Sequence, residues 1–322
     1  VALHLAIGLE EGAVEAGMAG ILLEMGLERA RGPAHRIGAV LTGQRTAQGI
    51  SYTVAGALEE LDYLAWVLRQ AASEPERNEG SFVRARARAR ARVANSRETP
   101  SGVLDRRLRR ALLPGQPHPD GTLASLDGLN AGSPVDFWNR THGAGRMSLV
   151  VVGDVAPVTL LALSRDLGAP PELVGPPLEF QGAHGDSPPR PQIIRTWYAE
   201  ATPLPLARDP RNRVLAILMD RVLEATPRSY DLGVQLWELG DVAAVVVTGA
   251  AYSSQRSAMR DRVSGLLRQV REILTPGELQ LAVGLTRDAL LYEARTPWGR
   301  AALIGGLVMA GDPPNGGRLD LE

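Results

Sequence analysis

Gly17-Met18-Ala19-Gly20-Ile21-Leu22-Leu23-Glu24-Met25 is the stretch from which the rest of this chain can be read. Its apolar pattern predicts a helix from about Val14 to Leu27. Positions 20 and 24 then share one face of that helix, with position 23 beside them. Gly20 offers no ligand atom, Leu23 offers no base, and Glu24 is a lone carboxylate. One carboxylate does not hold a zinc ion, which takes about three protein ligands plus a water. On its own residues, this helix face is therefore expected to hold no metal.

The surrounding pattern predicts alternating strands and helices. Val1, Leu3, Leu5 and Ile7 alternate as in a strand, and a second short strand is expected between Ile50 and Val54. Leu58, Leu61, Leu64, Ala65, Leu68 and Ala72 recur at helical spacing. From Val83 to Val93, arginine alternates with alanine at Arg84, Arg86, Arg88, Arg90 and Arg92. A strand would line one face with five like charges. A helix leaves Phe82, Ala85, Ala89 and Val93 on one apolar stripe, and both residue types are good helix formers. Helix wins. No aromatic residue interleaves this basic run, so it reads as a solvated face or a protein contact rather than a nucleic-acid surface. Further on, helices are expected at Val103–Leu112 and within Leu126–Trp138, and a buried strand at Leu149–Val155.

Residues 168–192 are dense in proline and glycine and read as a linker between a domain at 1–167 and a second at 193–322. After it, the order of elements returns. A strand near Ile193–Tyr198 leads to a helix near Arg211–Leu223; Ala243–Thr248 leads to a helix near Ser257–Leu274, and Pro276 opens another. Two halves of similar α+β order indicate an internal duplication.

Composition narrows the function further. The chain has 322 residues, 44% of them apolar, enough for about two domains. It has no cysteine, which removes disulfides, thiolate metal sites and cysteine nucleophiles. All 35 basic residues are arginine, so lysine Schiff bases and the lysine-dependent phosphate loop are excluded. A net charge of −1 creates no global field toward nucleic acid or an anionic membrane. No apolar run approaches the ~18–20 residues needed to cross a bilayer. A soluble protein is expected, with cytoplasm and periplasm both open. The chain begins at Val1 already inside a strand pattern, so a preceding segment, including a signal peptide, stays open.

These pieces together resemble the pitrilysin (insulinase) peptidase family, in particular small bacterial members related to mitochondrial processing peptidase. The pieces carrying the resemblance are Gly17-Met18-Ala19, the run from Phe137-Trp138-Asn139-Arg140 to Met147–Val155, and Leu274-Thr275-Pro276-Gly277-Glu278-Leu279. The resemblance implies an α+β fold of two homologous domains, each a mixed sheet with helices packed on one face. In that family H-x-x-E-H supplies two zinc ligands and a general base. Here Gly20 and Glu24 stand at the histidines and Leu23 at the base. The third ligand would be a glutamate from the arginine–alanine helix, yet 80–97 holds no acid. Glu98 is the local alternative. An arginine there would repel a divalent ion by about 4 kcal/mol or more per unit of its charge at ~4 Å and partly buried dielectric.

The family also uses an Arg and a Tyr from the second domain. The matching stretch is Leu236–Ala244, with Trp237 at the arginine and Ala244 at the tyrosine, and a one-residue slip would change the second assignment. No catalytic, cofactor or metal residue is therefore assigned. The resemblance implies a non-catalytic subunit forming half of a peptide chamber with an active zinc-peptidase homologue, or with a second copy. The alternatives are a stand-alone scaffold of the same fold and, last, a metallopeptidase with a relocated site.

The remaining features are unexceptional. His4, His35, His118, His142 and His184 lie far apart; His118 sits in a surface turn, and Gly143-Ala144-Gly145 after His142 follows no strand as a nucleotide loop would. No Gly-x-Ser-x-Gly occurs, and Ser253-Ser254 lacks its glycines. Trp66, Trp138, Trp197 and Trp298 read as packing, whereas Trp237 would face the chamber.

Overall fold

A computed structural model describes residues 1–9, 11–46, 48–142, 146–165, 195–204, 209–224, 231–239 and 242–309. The first half runs β1 (Ala2–Gly8), α1 (Met18–Arg36), β2 (Val40–Arg45), β3 (Gly49–Ala55), α2 (Leu61–Ala72), α3 (Glu79–Glu98), α4 (Pro100–Leu112), α5 (Leu123–Gly128), α6 (Ser133–Thr141), β4 (Met147–Val152) and α7 (Pro157–Arg165). The second runs β5 (Arg195–Leu204), α8 (Pro210–Glu224), β6 (Asp231–Leu239), β7 (Val242–Tyr252), α9 (Arg256–Ile273), α10 (Pro276–Ala294) and α11 (Pro297–Met309).

The duplication is visible element by element. β1-α1-β2-β3-α2-α3-α4 is answered by β5-α8-β6-β7-α9-α10-α11. The sheets repeat too: β2-β3-β1-β4 in the first half and β5-β7-β6 in the second, with β3 and β7 in equivalent central positions. A shared tetrapeptide opens the last helix of each set: Thr99-Pro100-Ser101-Gly102 and Thr296-Pro297-Trp298-Gly299. Each threonine Oγ1 accepts from its glycine N–H, at 3.3 and 3.0 Å, and proline fills a first-turn position that needs no donor. A methyl group on Gly102 would collide with the Ser96 carbonyl, and one on Gly299 with the Glu293 carbonyl. The helices therefore turn back tightly, and glycine is required at both.

The α+β class stands, with two particulars changed. Every described strand pair is antiparallel rather than mixed. Helices also cover the second face of each sheet, because the compact units are not contiguous in sequence. One unit takes Val1–Asn95, Pro117–Pro176 and α11; the other takes α4 with most of the second half. The expected boundary between 1–167 and 193–322 therefore separates the strands but misassigns two helices. The linker expected at 168–192 lies outside the described residues. Among the elements with no expectation behind them are β2, β6, α7 and α11. The helix expected at 14–27 is displaced, starting after Gly17 (φ 98°) and running on to Arg36.

In the first unit, Leu3, Leu5 and Ile7 of β1 and Ile50, Tyr52 and Val54 of β3 face α1 and α2 across a buried core. Arg29 of α1 closes the end of α2. Its Nε donates to the Gln70 carbonyl (2.5 Å), and its Nη atoms donate to Ala71 (3.2 Å), Ser73 (2.8 Å) and Glu74 (3.2 Å). Trp138 Nε1 donates to the Ala72 carbonyl (3.0 Å). The last-turn carbonyls of a helix lack intrahelical donors, and here two distant side chains supply them. Arg29→Met should cost about 2–3 kcal/mol, because several carbonyls at a partly buried helix end lose charged donors together. A lower urea midpoint with an unchanged m-value would register it.

Candidate functional site

Helix α1 presents Gly20 and Glu24 to α3. The two helices meet because Phe82, Ala85, Ala89 and Val93 form a buried stripe on α3, as their spacing predicted. That docking places the arginines beside the α1 carboxylates. Arg92 Nη1 donates to Glu24 Oε1 (2.8 Å) and Arg88 Nη1 to Glu24 Oε2 (3.2 Å). One turn further along α1, Glu28 pairs with Arg84 and lies 3.8 Å from Arg88 Nη2. A methyl group on Gly20 would lie 3.6 Å from Arg92 Nη2. The Arg92 guanidinium thus sits between positions 20 and 24, against the only carboxylate of the motif.

Leu23, at the position of the base, is buried and points to the sheet, where a side chain on Gly43 would strike its Cδ1. Glu98 is exposed at the end of α3, six residues or about 9 Å along the axis from Arg92. It does not join Glu24. Among the described residues no three imidazole or carboxylate side chains converge as a metal set would require. The donor set does not fit zinc: one glycine, one leucine, and a carboxylate already neutralised by two guanidinium groups. These pairs are partly exposed, so each contributes under about 1 kcal/mol to stability. Their consequence is electrostatic. A dication entering here would meet two fixed positive charges.

The other two arginines of the alternating run are also engaged. Arg90 pairs with Asp127, and Arg86 donates to the Leu129 carbonyl (2.9 Å) with its guanidinium over the Phe82 ring. Reading these five as a solvated face or a protein contact missed their partners within the chain. The signal was present in the spacing: Glu24 and Glu28 at i,i+4 match Arg84, Arg88 and Arg92 at the same interval.

In the second unit, Trp237 and Ala244 are brought together. They are direct partners in the β6–β7 ladder. Only Trp237 keeps exposed surface. Ala244 is fully buried beneath Leu112 of α4, with Leu239, Val246 and Leu108 in the same cluster. The Arg109 guanidinium lies 4.7 Å from the Trp237 ring centroid, and the indole N–H donates to Gln235 Oε1 (3.2 Å). Trp237, expected to face a chamber, is half-buried beside α4.

A narrow cleft lined by Gly26, Arg29, Tyr52, Ser73, Trp138 and His142 also gathers polar side chains. Its groups are occupied. Arg29 caps α2, the Tyr52 hydroxyl donates to the Leu22 carbonyl (3.4 Å), and His142 Nδ1 is bonded to Thr141 Oγ1 (3.0 Å). Burial pushes the Tyr52 hydroxyl up and His142 down to about 4, so both stay neutral near pH 7. His4 is likewise buried on β1, bonded to Thr53 Oγ1 (2.8 Å) and lowered to about 4 by burial. His118 accepts from the Asp120 N–H (3.1 Å) in its turn. His184 and Gly143-Ala144-Gly145 lie outside the described residues.

No family model matches the sequence, and no curated protein sequence matches it significantly. Solved structures do match. A protease from Helicobacter pylori superposes with a TM-score of 0.79 at 15% identity, covering 97% of this chain and 85% of that one. A peptidase M16 inactive domain from Pseudomonas fluorescens gives 0.74 at 15% identity, covering 97% and 82%. A chain of complex III2 from Candida albicans gives 0.74 at 12% identity, covering 99% and 82%. The protein has the fold of the pitrilysin-type, or M16, peptidases, as its resemblance implied.

Proposed function

We propose that this chain is a non-catalytic subunit of a pitrilysin-type zinc peptidase, forming half of a peptide chamber with an active homologue. One observation carries the reading: Arg92, with Arg88, grips Glu24 where a ligand would have to release its charge to a metal. Glycine at position 20 and leucine at position 23 remove the remaining chemistry. The likeness to an inactive M16 domain supports a fold kept for surface rather than catalysis. A partner that binds the folded chain would also stabilise it by linkage.

Metal analysis after equilibration with excess zinc should find less than about one-tenth of an ion per chain, because one paired carboxylate is not a zinc site. Near one tightly held ion per chain would end the reading. Added to a homologue with intact H-x-x-E-H, the chain should co-elute with it and raise its chelator-sensitive peptide cleavage. A second reading is a stand-alone scaffold, favoured by the equal likeness to a complex III2 chain. It predicts recovery in a larger assembly without a peptidase homologue and no effect on cleavage.

A further inference from the structure

We infer that the seam between α1 and α3 is a carboxylate-binding site, with the Arg92 guanidinium as its fork and an acidic group of a peptide as its ligand. The inference rests on the proposed chamber for the peptide; the site itself is read from the side chains. Three guanidinium groups, those of Arg84, Arg88 and Arg92, meet two carboxylates, Glu24 and Glu28. Glu28 is held by Arg84, through Nε (3.0 Å) and Nη2, with Arg88 close by. Glu24 is held by Arg88 and Arg92. One positive charge is left over, and it falls to Arg92 at the end of the row.

Arg92 gives Glu24 a single N–H, from Nη1. Its Nε and Nη2 have no hydrogen-bond partner among the described residues, and the side chain is 43% exposed, so a ligand can reach it. These two N–H groups lie parallel along one edge of the planar group. That edge receives both oxygens of a carboxylate at once, which a lysine ammonium does not do. Glu24 already shows that the surroundings accept such a group. Position 20 decides whether the edge stays open. Outside its own helix, a methyl group on Gly20 would meet one described atom, Arg92 Nη2, at 3.6 Å. A larger side chain would lie across the free edge. From Gly80 to Arg97 the helix carries no acid that could fill the fork from within. Solvent screens a pair on a half-exposed arginine, so the expected selectivity for a carboxylate is about 10-fold rather than thousands.

The test is calorimetric titration of the full chain with a short N-acetylated peptide of alanine, leucine and tyrosine in three forms. One form ends in an amide, one in a free carboxylate, and one in an amide with a central aspartate added. At least one carboxylate form should bind about 10-fold more tightly than the neutral amide. The preferred form names the source, a peptide end or an acidic side chain. Arg92→Gln should abolish the preference. Gly20→Leu should abolish it with net charge unchanged, since leucine covers the edge. Glu24→Gln should raise it about 3-fold, because it removes the carboxylate that competes for Arg92 and Arg88. This last variant keeps the test decisive, because a lost fold cannot tighten binding. Equal affinity for the three forms, a preference that survives Arg92→Gln, or a weaker one in Glu24→Gln would overturn the inference. Failure of every form to bind would overturn it as well, while the subunit reading is judged separately by co-elution with the homologue.

Discussion

A leucine at position 26 should leave α1 unable to dock and cost on the order of 4 kcal/mol or more, a large share of the ~5–15 kcal/mol available to a domain. Gly26 lies where α1 crosses the end of α2. Even a methyl group there would overlap the Ala71 carbonyl and lie 2.5 Å from the Tyr52 hydroxyl oxygen. Neither neighbour can yield. The Ala71 carbonyl is held by Arg29 (3.2 Å), and Tyr52 is fully buried under α1 with its hydroxyl on the Leu22 carbonyl (3.4 Å). Helix α1 must therefore lift, and with it Leu22, Met25 and the Arg29 cap. Gly26→Ala should cost about half as much, since overpacking by one carbon is commonly 1–3 kcal/mol. Gly32 on the same helix has open space around its Cβ position. Gly32→Leu should thus leave the near-ultraviolet circular dichroism and thermal midpoint almost unchanged, whereas Gly26→Leu should abolish the cooperative transition.

Where the sequence was legible, one periodicity matched one buried face. Leu3, Leu5 and Ile7 alternate against a single core, and Phe82, Ala85, Ala89 and Val93 keep helical spacing against α1. Both were readable because local spacing and tertiary burial agree. β2 was not readable. It is an edge strand, Val-Leu-Thr-Gly-Gln-Arg, with no fully buried residue to impose alternation. α11 failed for the opposite reason: its apolar residues surround the helix and mark no face. Yet a signal for its partnership with α4 was present. Thr-Pro-Ser-Gly and Thr-Pro-Trp-Gly recur at corresponding points of the two halves, and each glycine answers a specific backbone collision.

The candidate site was legible by its losses and misread in its replacements. Gly20, Leu23 and Glu24 announce the missing ligands on their own. That arginines would occupy the space requires knowing which turn of α3 faces which turn of α1, and the buried stripe fixes this only after docking. The contact of Trp237 with Arg109 was not foreseen, because α4 comes from the other half of the sequence. No local pattern encodes that contact.

Acid should destabilise this protein well above the carboxylate range, and His4 and His142 are the reason. Both are buried and neutral, and burial lowers each from 6.5 to about 4. The unfolded chain therefore binds more protons than the folded one between these values, so stability rises with pH across that window and is lost as pH falls through it. Every tenfold loss of proton affinity on folding is worth about 1.4 kcal/mol, so each histidine withdraws up to about 3 kcal/mol by pH 4. Glu11 acts with the opposite sign. Burial raises it above the usual carboxylate value despite Arg45 and the Ala19 N–H, so it costs stability above its unfolded pKa and returns it as pH falls. It offsets part of the histidines' loss as pH falls. The histidines' share of the fall from pH 7 to 5 is about 4 kcal/mol, read as a shift in urea midpoint. His4→Gln should remove about half of that dependence, because Thr53 can still bond a neutral amide. The effect at His4 also has an address. A proton there places a charge beneath the backbone of α11, whose only charged side chain, Arg300, is itself a cation. Helix α11 and the β1 amides beneath it should then lose protection at pH 5 before β5 and β7 do. A flat stability profile between pH 7 and 5 would show that both rings reach solvent.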